Sequence, residues 1–193
     1  MKTLLITGFD PFGGAAINPS WQAVKRLPEQ VGGFRVHKLE IPTVFGAAAQ
    51  MVAQKAEQIG ADVILCVGQA GGREAVTPER IAVNIRDARI ADNAGNQPRG
   101  EFVDDYGPAA YFATVPVKNM VQAMENAGIK ATVSNSAGAF VCNEVMYSLL
   151  HHFDGTQTKV GFIHVPFIPE QGSPFMELEQ ITQALAAAIG ACE

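Results

Sequence analysis

Two runs of the chain are apolar on both faces of an extended strand, and this pattern constrains the fold more than any other feature. They are VILCV at 63–67 and the interior of KVGFIHV at 159–165. Strands of this kind are buried between helices, which is typical of largely parallel sheets. Further β-branched or alternating runs predict strands at Thr3–Thr7, Arg35–Ile41, Ile81–Ile85 and Ala131–Ser134.

Helical patterns separate these strands. Apolar residues recur at helical spacing in four segments, at 49–59, 117–124, 142–153 and about 177–189. Gly60 and Gly128 end the first two helices, and Asn18 followed by Pro19 starts another. The alternation predicts an α/β fold in a single domain over residues 1–193. We expect a three-layer α/β/α sandwich around a largely parallel, mixed twisted sheet.

The charge balance argues against several classes of protein. The 193 residues carry 19 Asp and Glu against 14 Lys and Arg, a formal net charge of −5. Without a basic cluster, neither nucleic acid nor an anionic membrane is an expected partner. The longest apolar run, Ala184–Ala191, is shorter than the roughly 20 residues that span a bilayer. No export signal is recognisable before Asp10, so we expect a cytoplasmic location.

The cysteines predict neither a disulfide framework nor a zinc site. The chain has three, Cys66, Cys142 and Cys192, which is an odd number without a C-x-x-C pair. Each thiol is therefore considered alone.

Two long loops, at 8–19 and 87–108, interrupt the alternation. Long loops in a compact domain are usually functional, and ligands of open α/β sheets bind beyond the carboxyl ends of the strands. The first loop begins GFDPFGG, which fits neither the dinucleotide nor the P-loop pattern. We interpret Phe9 and Phe12 as walls of a small apolar pocket. The alternative is that both rings anchor the loop in the core.

Cys142 follows a run of small residues and starts the helix at 142–153. The helix dipole and the free N–H groups of a first turn lower the pKa of a thiol from about 8.5, and they can stabilise an oxyanion. The position therefore suits a nucleophile. The alternative is an inert core thiol, because Cys142 also belongs to the apolar stripe of its helix.

A thiol nucleophile needs a base, and the chain has four histidines: His37, His151, His152 and His164. His37 lies in an alternating strand without a nearby partner. His151 and His152 end the helix of Cys142, and a rise of about 1.5 Å per residue separates His151 from the thiol by about 13 Å. His164 is near the carboxyl end of its strand and is the candidate base. The alternative for His164 is a hydrogen-bonded core histidine.

The third member of such a site is a carboxylate that orients the imidazole, and Glu79 is the candidate. It follows Pro78 and precedes an apolar run. The alternative for Glu79 is an ion pair with Arg73 or Arg80. The long loop holds four further carboxylates, which we expect to be solvated or to form turns: Asp87, Asp92, Asp104 and Asp105.

These residues resemble the type I pyroglutamyl peptidases, a family of cysteine peptidases, over essentially the whole chain. One signature segment is SxSAGxFVCN at 134–143, and the other is GxxG at 68–71 followed by VTPERIAxN at 76–84. GFxPFG at 8–13 with NPS at 18–20, and RIxDNxGxQP at 89–98, also match. The two signatures together are specific.

The resemblance implies that Glu79, Cys142 and His164 form a catalytic triad, and that the thiol forms a thioester with the N-terminal pyroglutamyl residue of a peptide. It implies an apolar pocket whose walls are Phe9, Phe12, Thr43, Ile90, Phe140, Val141 and Met146, with polar contacts from Asn18 and Gln69. The oxyanion donors would be backbone N–H groups of Cys142 and of the Arg89 loop. The resemblance implies no metal and no cofactor, and it implies a homo-oligomer, in many members a tetramer.

Two interpretations from other classes remain open at this stage. One is a phosphorylase-like or nucleotide-binding α/β protein that uses the loop at 8–14, with Arg73 or Arg89 as anion ligands. The other is a non-catalytic binding module in which Cys142 is a core thiol. Stoichiometric inactivation by a thiol reagent is expected for the cysteine peptidase alone.

Overall fold

The computed structural model describes residues 1–193, which form ten strands and five helices. In chain order these are β1 (Lys2–Phe9), α1 (Pro19–Val24), β2 (Gln30–Val31), β3 (Phe34–Ile41), α2 (Ala47–Ile59), β4 (Val63–Gln69), β5 (Thr77–Pro78), β6 (Ile81–Val83), β7 (Arg86–Asp87), β8 (Arg99–Glu101), β9 (Ala110–Phe112), α3 (Val117–Asn126), α4 (Val141–His152), β10 (Lys159–Val165) and α5 (Leu178–Gly190).

The central sheet has six strands in the order β2-β3-β1-β4-β10-β5. The four inner strands run parallel, and the two short edge strands, β2 and β5, are antiparallel to their neighbours. The parallel strands therefore end at one edge, where the loops after β1, β4 and β10 meet. The predicted α/β fold with a largely parallel, mixed sheet is confirmed.

Helices cover both faces of this sheet. Along β4, Leu65 and Val67 contribute to the core beneath α1, α3 and α5, whereas Ile64 and Cys66 contribute to the core beneath α2 and α4. This alternation explains why the strand is apolar at every position, because each of its faces is covered by helices. None of the five helices combines the length and the hydrophobicity that a membrane-spanning helix needs.

Two predicted strands differ from expectation. Residues 81–83 form β6, which pairs with β9 in a separate two-stranded sheet instead of joining the central one. On its other side, the Asn143 side chain binds the backbone of Val83 through both amide atoms, at 2.9 and 2.8 Å. An asparagine side chain thus occupies the position that a neighbouring strand would take.

The segment at 131–134 runs beside β5 but makes only two isolated bridges, at Ala131 and Ser134. The reason is Pro78, which lies between the two bridged positions and has no N–H to donate to a ladder. This segment leads directly to Cys142. Residues 136–139 of the connection line a cavity together with Cys142 and His164.

Candidate active site

Cys142 is the second residue of α4 and lies at the carboxyl edge of the sheet. Phe140 is the N-cap in an extended conformation, and no side chain caps the helix. The N–H groups of the first turn therefore remain available to an anion. The thiol lies over Gly68 of β4, where an added Cβ atom would be only 2.9 Å from Sγ. The missing side chain at position 68 makes room for the thiol.

His164 lies on β10 directly beside Gly68 in the strand register. Its Nδ1 is 2.7 Å from Oε1 of Glu79, and both side chains are buried. The N–H of Glu79 donates to the Phe162 carbonyl at 2.8 Å, which fixes the carboxylate against β10. Because Nδ1 donates to the carboxylate, Nε2 keeps its lone pair and is the ring nitrogen that can accept a proton.

Arg73 contacts the same carboxylate oxygen. Its Nη1 is 2.7 Å from Oε1 of Glu79, and its Nη2 donates to the Ser136 carbonyl at 3.1 Å. The sequence left an orienting role and an ion pair as alternatives for Glu79. The structure contains both contacts, with Arg73 rather than Arg80 as the cation.

Cys142 and His164 line one cavity of about 620 Å³ at the carboxyl edge of the sheet. Five of the residues predicted for the substrate pocket line it as well: Phe12, Gln69, Arg89, Ile90 and Phe140. The rings of Phe12 and Phe140 are in contact, with centroids 6.1 Å apart. We call this pair the aromatic wall. It gives the cavity an apolar surface, while Arg73 and Asp87 are among its charged lining residues.

Gln69 has one side-chain atom already engaged. Its Oε1 accepts a hydrogen bond of 2.8 Å from Nε2 of Gln171. This bond leaves the amide NH₂ group of Gln69 as the part that can donate to a ligand.

Three of the other predicted pocket residues belong to the apolar core and do not line the cavity. Phe9, Val141 and Met146 are each at most 2% exposed and pack between the sheet and α4. Phe9 contacts Phe162, with ring centroids 6.3 Å apart. For Phe9, the structure corresponds to the alternative of a loop-anchoring core residue.

Asn18 and Thr43 are also buried away from the cavity, and both bind Asp10. Asn18 caps α1 and donates to the Asp10 carbonyl at 3.0 Å, while the N–H of Thr43 donates to the Asp10 carboxylate at 2.7 Å. Asn93 donates to the same carboxylate at 3.1 Å. These contacts hold the loop that carries Phe12 in one position.

Burial determines the protonation of the resting site. It lowers the pKa of His164, and this outweighs the hydrogen bond to Glu79. Burial alone would raise the pKa of Glu79, but hydrogen bonds from His164, Ser134 and Arg73 and the charge of His164 together lower it. The imidazole is therefore neutral and the carboxylate is ionised near neutral pH.

The prediction of a lowered thiol pKa is wrong for the free protein. Desolvation, followed by the charge of Glu79, raises the pKa of Cys142 to about 12. Arg73 and the backbone N–H of Cys142 act in the opposite direction and are outweighed. The resting pair is thus a neutral thiol beside a neutral imidazole.

Sequence reasoning missed several residues that organise this site. We expected Asp92 to be solvated or to form a turn. It does form the turn at 92–96, but its side chain is buried. Its carboxylate also accepts a hydrogen bond of 2.9 Å from the Phe45 N–H. Asp10 falls on the unspecified position of GFxPFG and carried no signal, and Asn143 carried none beyond its presence in SxSAGxFVCN. No group of three or more His, Cys, Asp or Glu side chains in the structure could hold a metal ion.

Comparison with known proteins gives one consistent result. The family model for pyroglutamyl peptidase matches residues 1–193. A pyrrolidone-carboxylate peptidase of Bacillus thuringiensis (strain Al Hakam) is 46% identical, over 98% of this chain and 92% of the relative. Pyrrolidone-carboxylate peptidase 1 of Photorhabdus laumondii is 48% identical over the same shares.

Solved structures agree with the sequence comparisons. Pyroglutamyl peptidase I of Bacillus amyloliquefaciens matches with a TM-score of 0.96 at 44% identity, covering 100% of this chain and 97% of that one. The pyrrolidone carboxyl peptidase of Thermococcus litoralis matches with a TM-score of 0.94 at 38% identity, covering 100% and 93%. Together with the arrangement of Cys142, His164 and Glu79, these matches establish that the chain belongs to the pyroglutamyl peptidase family.

Proposed function

We propose that this chain hydrolyses the bond after an N-terminal pyroglutamyl residue of a peptide, with Cys142 as nucleophile, His164 as general base and acid, and Glu79 as the orienting carboxylate. The observation that carries this proposal is that Cys142 and His164 line one cavity, while the buried Glu79 carboxylate behind them holds Nδ1 of His164 at 2.7 Å. The whole chain acts as one catalytic domain over residues 1–193.

The reaction has two halves. Sγ of Cys142 attacks the pyroglutamyl carbonyl carbon while Nε2 of His164 takes the thiol proton. The C–N bond then breaks, the imidazolium gives its proton to the leaving amine, and a thioester remains. In the second half His164 deprotonates a water that attacks the thioester, which releases pyroglutamate and returns the proton to the thiol.

Backbone N–H groups stabilise the oxyanion of each tetrahedral intermediate. The first turn of α4 offers the backbone N–H of Cys142, because no side chain caps the helix. The loop at Arg89, which lines the same cavity, supplies the second donor.

The aromatic wall selects the lactam. Pyroglutamate is a neutral ring without an α-ammonium group, so it can lie against Phe12 and Phe140 without a buried charge. The free NH₂ group of Gln69 is the donor for the lactam carbonyl. An open-chain glutaminyl residue brings an ammonium, and burying this charge without a partner costs several kcal/mol.

The loop after β1 does not favour the alternative of a nucleotide-binding protein. It carries the carboxylate of Asp10, which accepts hydrogen bonds from the Thr43 N–H and the Asn93 amide. These donors are therefore not free to bind a phosphate. Gly8 is packed against α1, where an added Cβ would be 2.5 Å from the Trp21 Cα. The loop is therefore filled by the protein itself.

We also propose a cytoplasmic location and a homo-oligomer, in line with the family resemblance. All three cysteines are free, which is typical of proteins kept in reducing compartments.

The test is hydrolysis of a pyroglutamyl chromogenic amide by wild type and three variants. Cys142→Ser and His164→Ala should abolish turnover, because each removes a reacting group. Glu79→Gln should lose roughly 10³- to 10⁴-fold in kcat and remain above His164→Ala. Cys192→Ser is the matched thiol control and should keep full activity.

The Cys192→Ser protein also gives the alkylation test. Iodoacetamide should inactivate it with one label, on Cys142, whereas a chelator should have no effect. Full activity of Cys142→Ser, or inactivation by the chelator alone, would refute the proposed mechanism.

A further inference from the structure

We propose that Arg73 is a positioning residue for catalysis, which acts through Glu79 to hold the orientation and charge that His164 requires. This inference rests on the proposed function. Its basis is that Arg73 and His164 donate to one and the same oxygen, Oε1 of Glu79, each at 2.7 Å.

Three side chains interact with the Glu79 carboxylate: Arg73, His164 and Ser134. The Glu79 side chain is fully buried, and Oε2 has no hydrogen-bond partner within the protein. A buried carboxylate is stable as an anion only when a cation or several donors compensate it. His164 is neutral at rest, so Arg73 is the only permanently charged side chain in contact with the carboxylate.

The guanidinium is itself fixed by two other segments. Besides Glu79 it donates to the hydroxyl of Thr77 on β5 and to the carbonyl of Ser136. Ser136 lies in the segment that enters α4 and carries Cys142. Arg73 thus links the segment of the carboxylate to the segment of the nucleophile, and a shift of the guanidinium would move both.

Arg73 also lies at the boundary with solvent. Its side chain is 29% exposed, whereas that of Glu79 is not exposed. It lines the catalytic cavity and also a polar groove of about 590 Å³ between residues 73–77 and 130–136. The guanidinium is therefore partly exposed while it contacts the buried Glu79 carboxylate.

The charge of Arg73 has a defined effect on the base. The groups that face His164 are Glu79, Cys142 and Arg73, and the same cavity holds Asp87 and Arg89. The positive charge of Arg73 opposes protonation of the imidazole and so contributes to its lowered pKa. Removing this charge should raise the pKa of His164, and the acidic limb of the pH profile should move to higher pH.

The experiment compares Arg73→Gln, Arg73→Lys and Glu79→Gln with the double variant. Arg73→Gln should lower kcat by about 10- to 100-fold with little change in KM. Its acidic limb in kcat/KM should shift upward by about half a pH unit or more. Arg73→Lys keeps the positive charge but loses the planar set of donors of a guanidinium. Its acidic limb in kcat/KM should therefore lie at the wild-type pH, whereas its kcat should recover only in part.

The double variant tests whether Arg73 acts through Glu79. In the Glu79→Gln background, Arg73→Gln should cost no more than about 2-fold, because the two residues form one unit. Glu74→Gln is the control, since it removes an exposed charge one residue away. It should leave both kcat and the pH profile unchanged.

Three results would overturn the role of Arg73. The first is that Arg73→Gln raises KM without lowering kcat. The second is that Arg73→Gln lowers the thermal stability but leaves the acidic limb of the pH profile unchanged. The third is that the fold losses in kcat of the two single variants multiply in the double variant. Wild-type kinetics of Arg73→Gln together with inactive Cys142→Ser and His164→Ala would refute this inference and leave the proposed function standing. Active Cys142→Ser would instead refute the proposed function.

Discussion

Gly68 offers a direct test of how tightly the nucleophile is positioned. In Gly68→Ala the new methyl carbon would lie 2.9 Å from Sγ of Cys142 and 2.9 Å from Cζ of Phe162. Carbon contacts are comfortable at about 3.5–4.0 Å, so the thiol or the ring must move by roughly 0.5 Å or more. The ring is packed in the core and the thiol is on the first turn of a helix, so neither moves freely.

The expected effect is larger on catalysis than on folding. Overpacking of a core by one methyl group costs about 1–3 kcal/mol, which an otherwise intact domain tolerates. Misplacement of a reacting atom by a fraction of an ångström to 1 Å costs up to about 100-fold in rate. We therefore expect Gly68→Ala to fold and to lose about 10- to 100-fold in kcat.

Gly161→Ala is the matched control on the neighbouring strand. Its added carbon would meet Val115 at 2.3 Å and Leu65 at 3.2 Å, on the face of the sheet away from Cys142. It should destabilise the protein at least as much, yet keep kcat within about 2-fold of wild type below its unfolding transition. The assays are urea unfolding followed by circular dichroism, and kcat with saturating pyroglutamyl amide. Wild-type kcat in Gly68→Ala, or equal losses in both variants, would refute the argument.

Two further predictions concern the aromatic wall and the buried thiol of Cys66. Phe12 lines the cavity, so Phe12→Ala should lower kcat/KM for pyroglutamyl amides by roughly 10- to 100-fold with little change in the free energy of unfolding. Phe9 is a core residue, so Phe9→Ala should instead cost about 3–5 kcal/mol of stability. Equal effects of the two variants in urea unfolding and in kinetics would contradict this. Burial raises the pKa of Cys66 from 9.0 to about 12, so the stability linked to its protonated form is complete below pH 9 and is lost as the pH rises towards 12. Between about pH 8.5 and 10, wild type should lose about 1 kcal/mol more of its free energy of unfolding than Cys66→Ala; parallel losses would show that the buried thiol does not hold its proton.

The sequence was sufficient for the fold class because the burial pattern is explicit in it. The apolar runs that became β4 and β10 could only be inner strands, and the helical spacing of the intervening segments identified α2 to α5. The strands at 81–85 and 131–134 were less certain for a physical reason. Their pairing depends on Asn143 and Pro78, whose effects are local and cannot be read from apolar periodicity.

For the site, a helix start at Cys142 and a strand end at His164 made these residues candidates, and the family resemblance favoured them over the core-residue alternatives. The pocket was harder, because a motif does not distinguish a residue that lines a cavity from one that supports it. Phe12 and Phe9 belong to the same short loop motif, yet one faces the cavity and the other packs on Phe162. The pKa of the thiol also depends on three-dimensional enclosure, which outweighs the helix terminus.

The position of β10 in the sheet has a consequence for how a cell makes this protein. The strand lies between β4 and β5 and carries His164. Its Phe162 carbonyl accepts the hydrogen bond from the Glu79 N–H that fixes the carboxylate. A nascent chain that has not yet reached residue 165 lacks both the proposed base and the neighbour that orders the carboxylate. Under the proposed mechanism, peptidase activity therefore requires synthesis through β10, so nascent chains that end before this strand do not act as peptidases.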